Sequence, residues 1–168
     1  MTRRMGQHIT LQQAVQQRNA LREAGKRLVF TNGHFDLLHV GHLDYLEQAW
    51  ALGDALFVGL NGDASTRRLK GEGRPLVPAV ERARLLAALP PVTAVIIFEE
   101  DTAINIISAL QPEIYVKGGD YALPDASHAV KPLPERPTVE AYGGKVVLID
   151  YLPGHSTSEL IERVKALK

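Results

Sequence analysis

The chain has 168 residues, which suits one domain with a sizeable apolar core and is too few for two catalytic domains. Nineteen Lys and Arg residues balance nineteen Asp and Glu residues, so no net basic charge is present to attract nucleic acid or an acidic membrane surface. The sequence contains no cysteine, which excludes disulfides, thiolate metal sites and a cysteine nucleophile and fits a reducing compartment. No apolar run approaches the roughly 20 residues of a membrane helix. We therefore expect a cytoplasmic protein that binds neither nucleic acid nor membrane.

Short apolar runs alternate with segments of helical periodicity along the chain. Thr10 is a candidate N-cap for a first helix, which Gly25 ends. The remaining pattern predicts strands at 28–31, 55–60, 94–98, 114–116 and 146–149, and helices at 42–52, 79–89, 102–110 and 158–167. This alternation predicts an α/β fold, a Rossmann-like doubly wound parallel sheet with helices on both faces.

We expect residues 1–168 to form a single domain, with an N-terminal helix in residues 1–25 and the α/β core in residues 26–168. Two segments rich in glycine or proline, 70–78 and 122–137, are predicted to be mobile loops. Neither segment is long enough to link two domains.

The strongest functional signal is the segment 32–42, which follows the first predicted strand and leads into a helix. Ligands of doubly wound sheets bind at the carboxyl ends of the strands. Gly33 and Gly41 allow close backbone approach, and the free N–H groups of a helix start attract an anion. His39 and His42 are three residues apart, so they share one side of the first helical turn and can reach one polyphosphate. A metal half-site and a purely structural pair are the alternatives.

The residues of this segment resemble a known signature. Gly33-His34-Phe35-Asp36, followed by His39-Val40-Gly41-His42, is similar to the motifs of the cytidylyltransferase-like nucleotidyltransferases. The segments 31–33, 63–71, 98–102 and 116–121 further resemble the heptose 1-phosphate adenylyltransferase branch of that superfamily. His34 is a departure, because the branch usually shows Cys there. The resemblance covers the chain from about Lys26 onward.

The resemblance implies a set of site residues. The catalytic residues would be His39, His42 and Lys70, and no residue is predicted to be a metal ligand. The acceptor substrate would contact Asp36, Asp63, Arg74 and Arg82. The nucleotide would contact Asn32, Gly33, His34, Phe35, Asp36, His39, Gly41, His42, Lys70, Lys117, Gly118, Gly119, Asp120, Ser156, Thr157 and Ser158.

Each of these assignments has a structural alternative. Lys70 and Arg74 could be solvated surface charges, and Arg82 could have an intrahelical or surface role. Asp36 and Asp63 could cap loops. The hydroxyl-rich segment 156–158 could act as an N-cap, a role compatible with anion binding because one cap satisfies only one of four free N–H groups.

The implied reaction transfers AMP from ATP to D-glycero-D-manno-heptose 1-phosphate and releases pyrophosphate, with Mg²⁺ accompanying the triphosphate. The alternatives are a CTP-dependent cytidylyltransferase acting on glycerol 3-phosphate or another sugar or alcohol phosphate, and a nucleotide-sensing module without turnover. Some relatives carry a sugar kinase domain in front of this module. Because about 25 residues precede the first predicted strand, we expect a separate protein to phosphorylate the sugar. Relatives are often dimers, so a homodimer is expected.

Overall fold

The computed structural model describes residues 6–118 and 132–167. Their six strands form one sheet in which every pairing is parallel, in the order β1-β4-β3-β2-β5-β6. The strands are β1 (Gln7–His8), β2 (Leu28–Gly33), β3 (Ala55–Asn61), β4 (Ala94–Phe98), β5 (Ile114–Gly118) and β6 (Lys145–Ile149). The helices are α1 (Leu11–Glu23), α2 (Val40–Trp50), α3 (Asp63–Lys70), α4 (Ala79–Ala88), α5 (Ile104–Leu110), α6 (Arg136–Ala141) and α7 (Thr157–Lys165).

The order of the strands reverses at β2. From β2 the chain continues outward to β3 and β4, and it then returns to add β5 and β6 on the other side of β2. The carboxyl ends of β2 and β5 therefore flank the point where ligands bind in doubly wound sheets. The predicted fold class is confirmed.

The sheet separates two apolar cores. Phe30 and Phe57 point into the core beneath α1, α5 and α6, whereas Val29 and Val58 point into the core beneath α2 and α4. Strands buried on both faces explain why their sequences are continuous apolar runs. Helix α7 differs from the helices around these cores, because none of its residues is buried.

The predicted start of the first helix agrees with the structure, whereas the helix predicted at 42–52 begins at Val40 and the one predicted at 102–110 begins at Ile104. Thr10 caps α1, and its side chain and that of Gln13 form a reciprocal capping box. Gly25 follows this helix with a φ of 65°, a left-handed conformation that glycine adopts without strain. The last helix begins at Thr157 rather than at residue 158.

Three elements were not predicted: β1, α3 and α6. The interpretation of residues 70–78 as a mobile loop is wrong in part, because Lys70 is the last residue of α3 and the loop after it is anchored. Residues 136–137 of the other predicted loop belong to α6, and residues 122–131 lie outside the described part. Within residues 6–118 and 132–167, no helix is long and apolar enough to cross a membrane.

Candidate active site

A cleft of about 1000 Å³ lies at the carboxyl ends of β2 and β5. Its volume is at the upper end of the range for small-molecule sites. Residues 151–159, which lead into α7, also line the cleft. The cleft brings together most of the predicted site: Asn32, Gly33, His34, Phe35, Asp36, His39, Gly41, His42, Lys70, Arg74, Lys117, Gly118, Ser156, Thr157 and Ser158.

His39 and His42 stand together at the start of α2. His39 is the N-cap residue, and the two imidazole rings stack with centroids 3.9 Å apart and an interplanar angle of 28°. The Phe35 ring packs against His42 with a centroid distance of 5.2 Å. Phe35 has a φ of 44°, a left-handed conformation that is costly for an aromatic residue and that the surrounding packing must hold.

Burial favours the uncharged form of both imidazoles. Burial lowers the pKa of His42 from 6.5 to about 4, with a further contribution from His39. Burial also lowers the pKa of His39, to which nearby His155 contributes. A neutral imidazole carries one N–H donor and one acceptor nitrogen.

The environment of each ring favours one tautomer. The Nδ1 atoms of His39 and His42 are buried and have no hydrogen-bond partner among the described residues. An enclosed lone pair without a partner is less costly than an enclosed N–H group without one. In both rings the proton is therefore placed on Nε2. The Nε2 atom of His39 lies 3.5 Å from the Thr157 hydroxyl oxygen. Each ring can present an N–H donor to an anion in the cleft.

The starts of α2 and α7 meet in the cleft. At Gly41, a Cβ atom would lie 2.9 Å from the Cβ of His155 and 3.1 Å from the His39 ring, so only glycine fits between them. The Ser156 hydroxyl accepts a hydrogen bond from the N–H of Glu159, which makes Ser156 the N-cap of α7. One cap leaves other N–H groups of the first turn available to an anion.

Asp36 connects the histidine motif to the loop that follows α3. Its buried carboxylate accepts hydrogen bonds from the N–H groups of Leu76 and Val77 and from Nε of Arg74, at 2.6–2.9 Å. These hydrogen bonds and the Arg74 charge lower the pKa of Asp36 although burial raises it. Asp36 is therefore committed to positioning Arg74, which lines the cleft.

Asp63 and Arg82 do not line the cleft, contrary to their predicted contact with the acceptor. The Arg82 side chain is fully buried and donates to the carbonyl groups of His34, Asn61 and Val77. Its remaining nitrogen pairs with Asp63, whose carboxylate also accepts the N–H of Ala79 at the start of α4. Because every nitrogen of Arg82 has a hydrogen-bond partner within the protein, Arg82 and Asp63 support residues around the cleft. The sequence alone could not distinguish this supporting role from ligand binding, because it does not show that Arg82 is buried or that its partners lie within the protein.

The strand ends on the floor of the cleft are held by side chains from β5. Lys117 donates from Nζ to the carbonyl oxygen of Asn32 at 3.0 Å, and Tyr115 donates to the Asn32 side chain at 2.7 Å. Lys117 and Lys70 both line the cleft and give it positive charge. Gly119 and Asp120 lie outside the described residues.

Tyr151 is a cleft residue that the sequence analysis missed. A Cβ atom at Gly118 would lie 2.0 Å from the Tyr151 hydroxyl oxygen, so the ring lies directly on the glycine backbone. The ring is half exposed and lines the cleft. Its signal was its position between the last predicted strand, 146–149, and the hydroxyl-rich segment 156–158.

A family model described as cytidylyltransferase-like matches residues 30–163. Because this match covers most of the sequence, the chain belongs to the cytidylyltransferase-like family. The predicted family is confirmed.

Two curated proteins and one solved structure are similar to this chain. Bifunctional protein HldE of Pelobacter propionicus is 55% identical over 83% of this chain and 27% of its own length. Bifunctional protein HldE of Acidiphilium cryptum is 46% identical over 94% of this chain and 31% of its own length, so the chain spans less than a third of these relatives. A solved structure from Thermoplasma volcanium GSS1, described as a lipopolysaccharide core biosynthesis protein, aligns with a TM-score of 0.60 at 27% identity. That alignment covers 76% of this chain and 98% of the other.

Proposed function

We propose that this chain transfers AMP from ATP to D-glycero-D-manno-heptose 1-phosphate. The observation that carries the proposal is the stacked pair of neutral imidazoles at the start of α2, which lies beside the start of α7 in a cleft lined by Lys70, Arg74 and Lys117. This arrangement offers N–H donors and positive charge to a polyphosphate. The heptose is supported by the four sequence segments that resemble the heptose branch and by the identity to the HldE proteins.

The reaction requires no nucleophile from the protein. An oxygen of the sugar phosphate attacks the α-phosphorus, a P–O bond forms there, and the bond to the β-phosphate oxygen breaks to release pyrophosphate. Charge develops on phosphate oxygens during this exchange, so stabilisation by fixed donors lowers the barrier. His39 and His42 donate from Nε2, and Lys70 contributes positive charge. Arg74, which Asp36 holds in place, orients the attacking phosphate.

Magnesium enters the proposed site with the triphosphate. Mg²⁺ binds mainly through phosphate oxygens and water, with few protein carboxylates. The donor set fits this mode: Asp36 is committed to three donors, whereas Glu159 lies exposed at the start of α7 and could supply one oxygen. When bound, the ion neutralises charge on the triphosphate and on the leaving pyrophosphate.

A pyrophosphate-release assay tests the proposal. ATP and CTP are each paired with heptose 1-phosphate, mannose 1-phosphate and glycerol 3-phosphate, with and without Mg²⁺. We expect release with ATP, heptose 1-phosphate and Mg²⁺, and much less with every other pair. Release only with CTP and glycerol 3-phosphate would contradict the proposal. If ATP raises the melting temperature but no pair reacts, the protein is a nucleotide-binding module. The homodimer and the cytoplasmic location stay predictions.

A further inference from the structure

His34 stands beside the catalytic pair but is held by a different network. It is the residue after Gly33 at the end of β2, and it lines the cleft. Its Nδ1 atom lies 3.0 Å from the hydroxyl oxygen of Thr66 in α3. That hydroxyl is buried and lies 3.3 Å from the carbonyl oxygen of Asn61, which it reaches as a donor.

The network determines which ring nitrogen carries the proton. If Nδ1 is protonated, it donates to Thr66 Oγ1, and the Thr66 hydroxyl donates to the Asn61 carbonyl, so two hydrogen bonds form. If Nδ1 is unprotonated, the Thr66 hydroxyl must donate to it, and the bond to Asn61 is lost. The Asn61 carbonyl already accepts from Arg82 at 2.9 Å, but a carbonyl oxygen has two lone pairs and can accept both donors. Buried polar groups favour the arrangement that satisfies more of them.

The charges around His34 favour its neutral form. The groups that act on the ring are Lys70, Lys117, Arg82 and Arg74, and all four are cations. Together with burial, which is the larger cause, they lower the pKa of His34 to about 4, so the ring is neutral at pH 7. A neutral ring keeps one unprotonated nitrogen, and the hydrogen bonds of Thr66 place that lone pair on Nε2.

We propose that His34 is a specificity-determining residue whose Nε2 lone pair accepts a hydrogen bond from a hydroxyl group of the sugar phosphate acceptor. Nε2 has no hydrogen-bond partner among the described residues and is not among their enclosed polar atoms, so a ligand in the cleft can reach it. The cations of the cleft, Lys70, Arg74 and Lys117, suit phosphate oxygens. A neutral acceptor nitrogen suits a hydroxyl group instead. The inference rests on the proposed function, since the hydroxyl belongs to the acceptor, and it assigns the His34 ring to the acceptor instead of the nucleotide that the resemblance implied.

Two substitutions separate the ring nitrogens. The Asn amide in H34N reaches the position of Nδ1 and can keep the contact with Thr66, but nothing replaces Nε2. The Gln amide in H34Q reaches the position of Nε2 and can offer its oxygen there. We expect H34N to lower kcat/KM for heptose 1-phosphate by about threefold to tenfold, the loss of one neutral hydrogen bond, with the KM for ATP unchanged. H34Q should keep most of the activity that H34N loses. Both variants should have melting temperatures near that of the wild type.

A set of monodeoxy heptose 1-phosphates identifies the hydroxyl. We expect one analogue to react equally well with the wild type and with H34N, because the hydrogen bond is already missing in that analogue. An equal loss on every analogue, or a raised KM for ATP, would overturn the inference. H34N with wild-type activity on every acceptor would do the same.

Nitrogen NMR tests the tautomer without turnover. Long-range ¹H–¹⁵N spectra distinguish protonated from unprotonated ring nitrogens, and we expect Nδ1 of His34 to be protonated and Nε2 to be unprotonated at pH 7. The variant T66V removes the hydroxyl and should shift this equilibrium, whereas the control T66S should not. A protonated Nε2 in the free protein would refute the inference even if the wild type releases pyrophosphate. Failure of the wild type with every sugar phosphate would refute the proposed function instead.

Discussion

Acidification should destabilise this protein through its buried imidazoles. The folded pKa values of His34 and His42 are both lowered from 6.5 to about 4. The unfolded chain therefore binds more protons than the folded chain between these values, so stability is complete above pH 6.5 and falls as the pH drops toward 4. At pH 5 each histidine costs about 2 kcal/mol relative to pH 7, or about 4 kcal/mol together. That is a large share of the stability of a small domain.

Urea unfolding at pH 7, 6 and 5 measures this effect. The variant H42Q removes one of the two titrations, so its stability should fall by about 2 kcal/mol less than that of the wild type between pH 7 and pH 5. An unchanged urea m-value in both proteins is the control, because it shows that the same surface is exposed on unfolding. Equal pH dependence in the wild type and in H42Q would show that His42 is not buried in its neutral form.

Four further outcomes are expected. H42A should lower kcat by about a hundredfold, equivalent to about 3 kcal/mol, in the pyrophosphate assay, and near-normal turnover would exclude His42 as a donor. R82M should cost about 3–5 kcal/mol in urea unfolding because it leaves Asp63 and three carbonyl groups without their partner, whereas R68M, which breaks an exposed pair, should cost less than about 1 kcal/mol. D36N should raise the KM for the sugar phosphate more than that for ATP, since it releases Arg74, and equal effects on both would argue against that role. G118A should raise the KM for ATP by displacing Tyr151, whereas Y151F, which keeps the ring, should leave it near normal.

The fold was predictable wherever burial leaves a periodic signature. Strands such as β3, in which every residue is buried, read as continuous apolar runs, and amphipathic helices such as α4 repeat apolar residues at helical spacing. Helix α3 could not be found this way, because Asp63–Lys70 is dominated by polar and charged residues. It is held instead by contacts from distant residues, among them the Glu99 carboxylate, which accepts the N–H of Ser65 at 2.9 Å.

The sequence motifs predicted which residues gather at the candidate site, but not which of them bind ligand and which support the cleft. The spacing of His39 and His42 was enough to place both rings on one side of a helix start. By contrast, the resemblance implied that Asp36 and Arg82 bind the acceptor, and only their burial and partners show that they support the cleft. The His34 tautomer depends on Thr66, which lies 32 residues away along the chain. No local pattern could have indicated that contact.

The weak attachment of α7 has a consequence for the catalytic cycle. This helix buries none of its residues, yet its first turn forms one side of the cleft. A triphosphate that spans the cleft would tether the C-terminal segment to the sheet more firmly than its own packing does. Part of the intrinsic affinity for nucleotide is then spent on immobilising that segment, which weakens the apparent affinity. In the proposed reaction, the departure of pyrophosphate would remove this link between the C-terminal segment and the sheet.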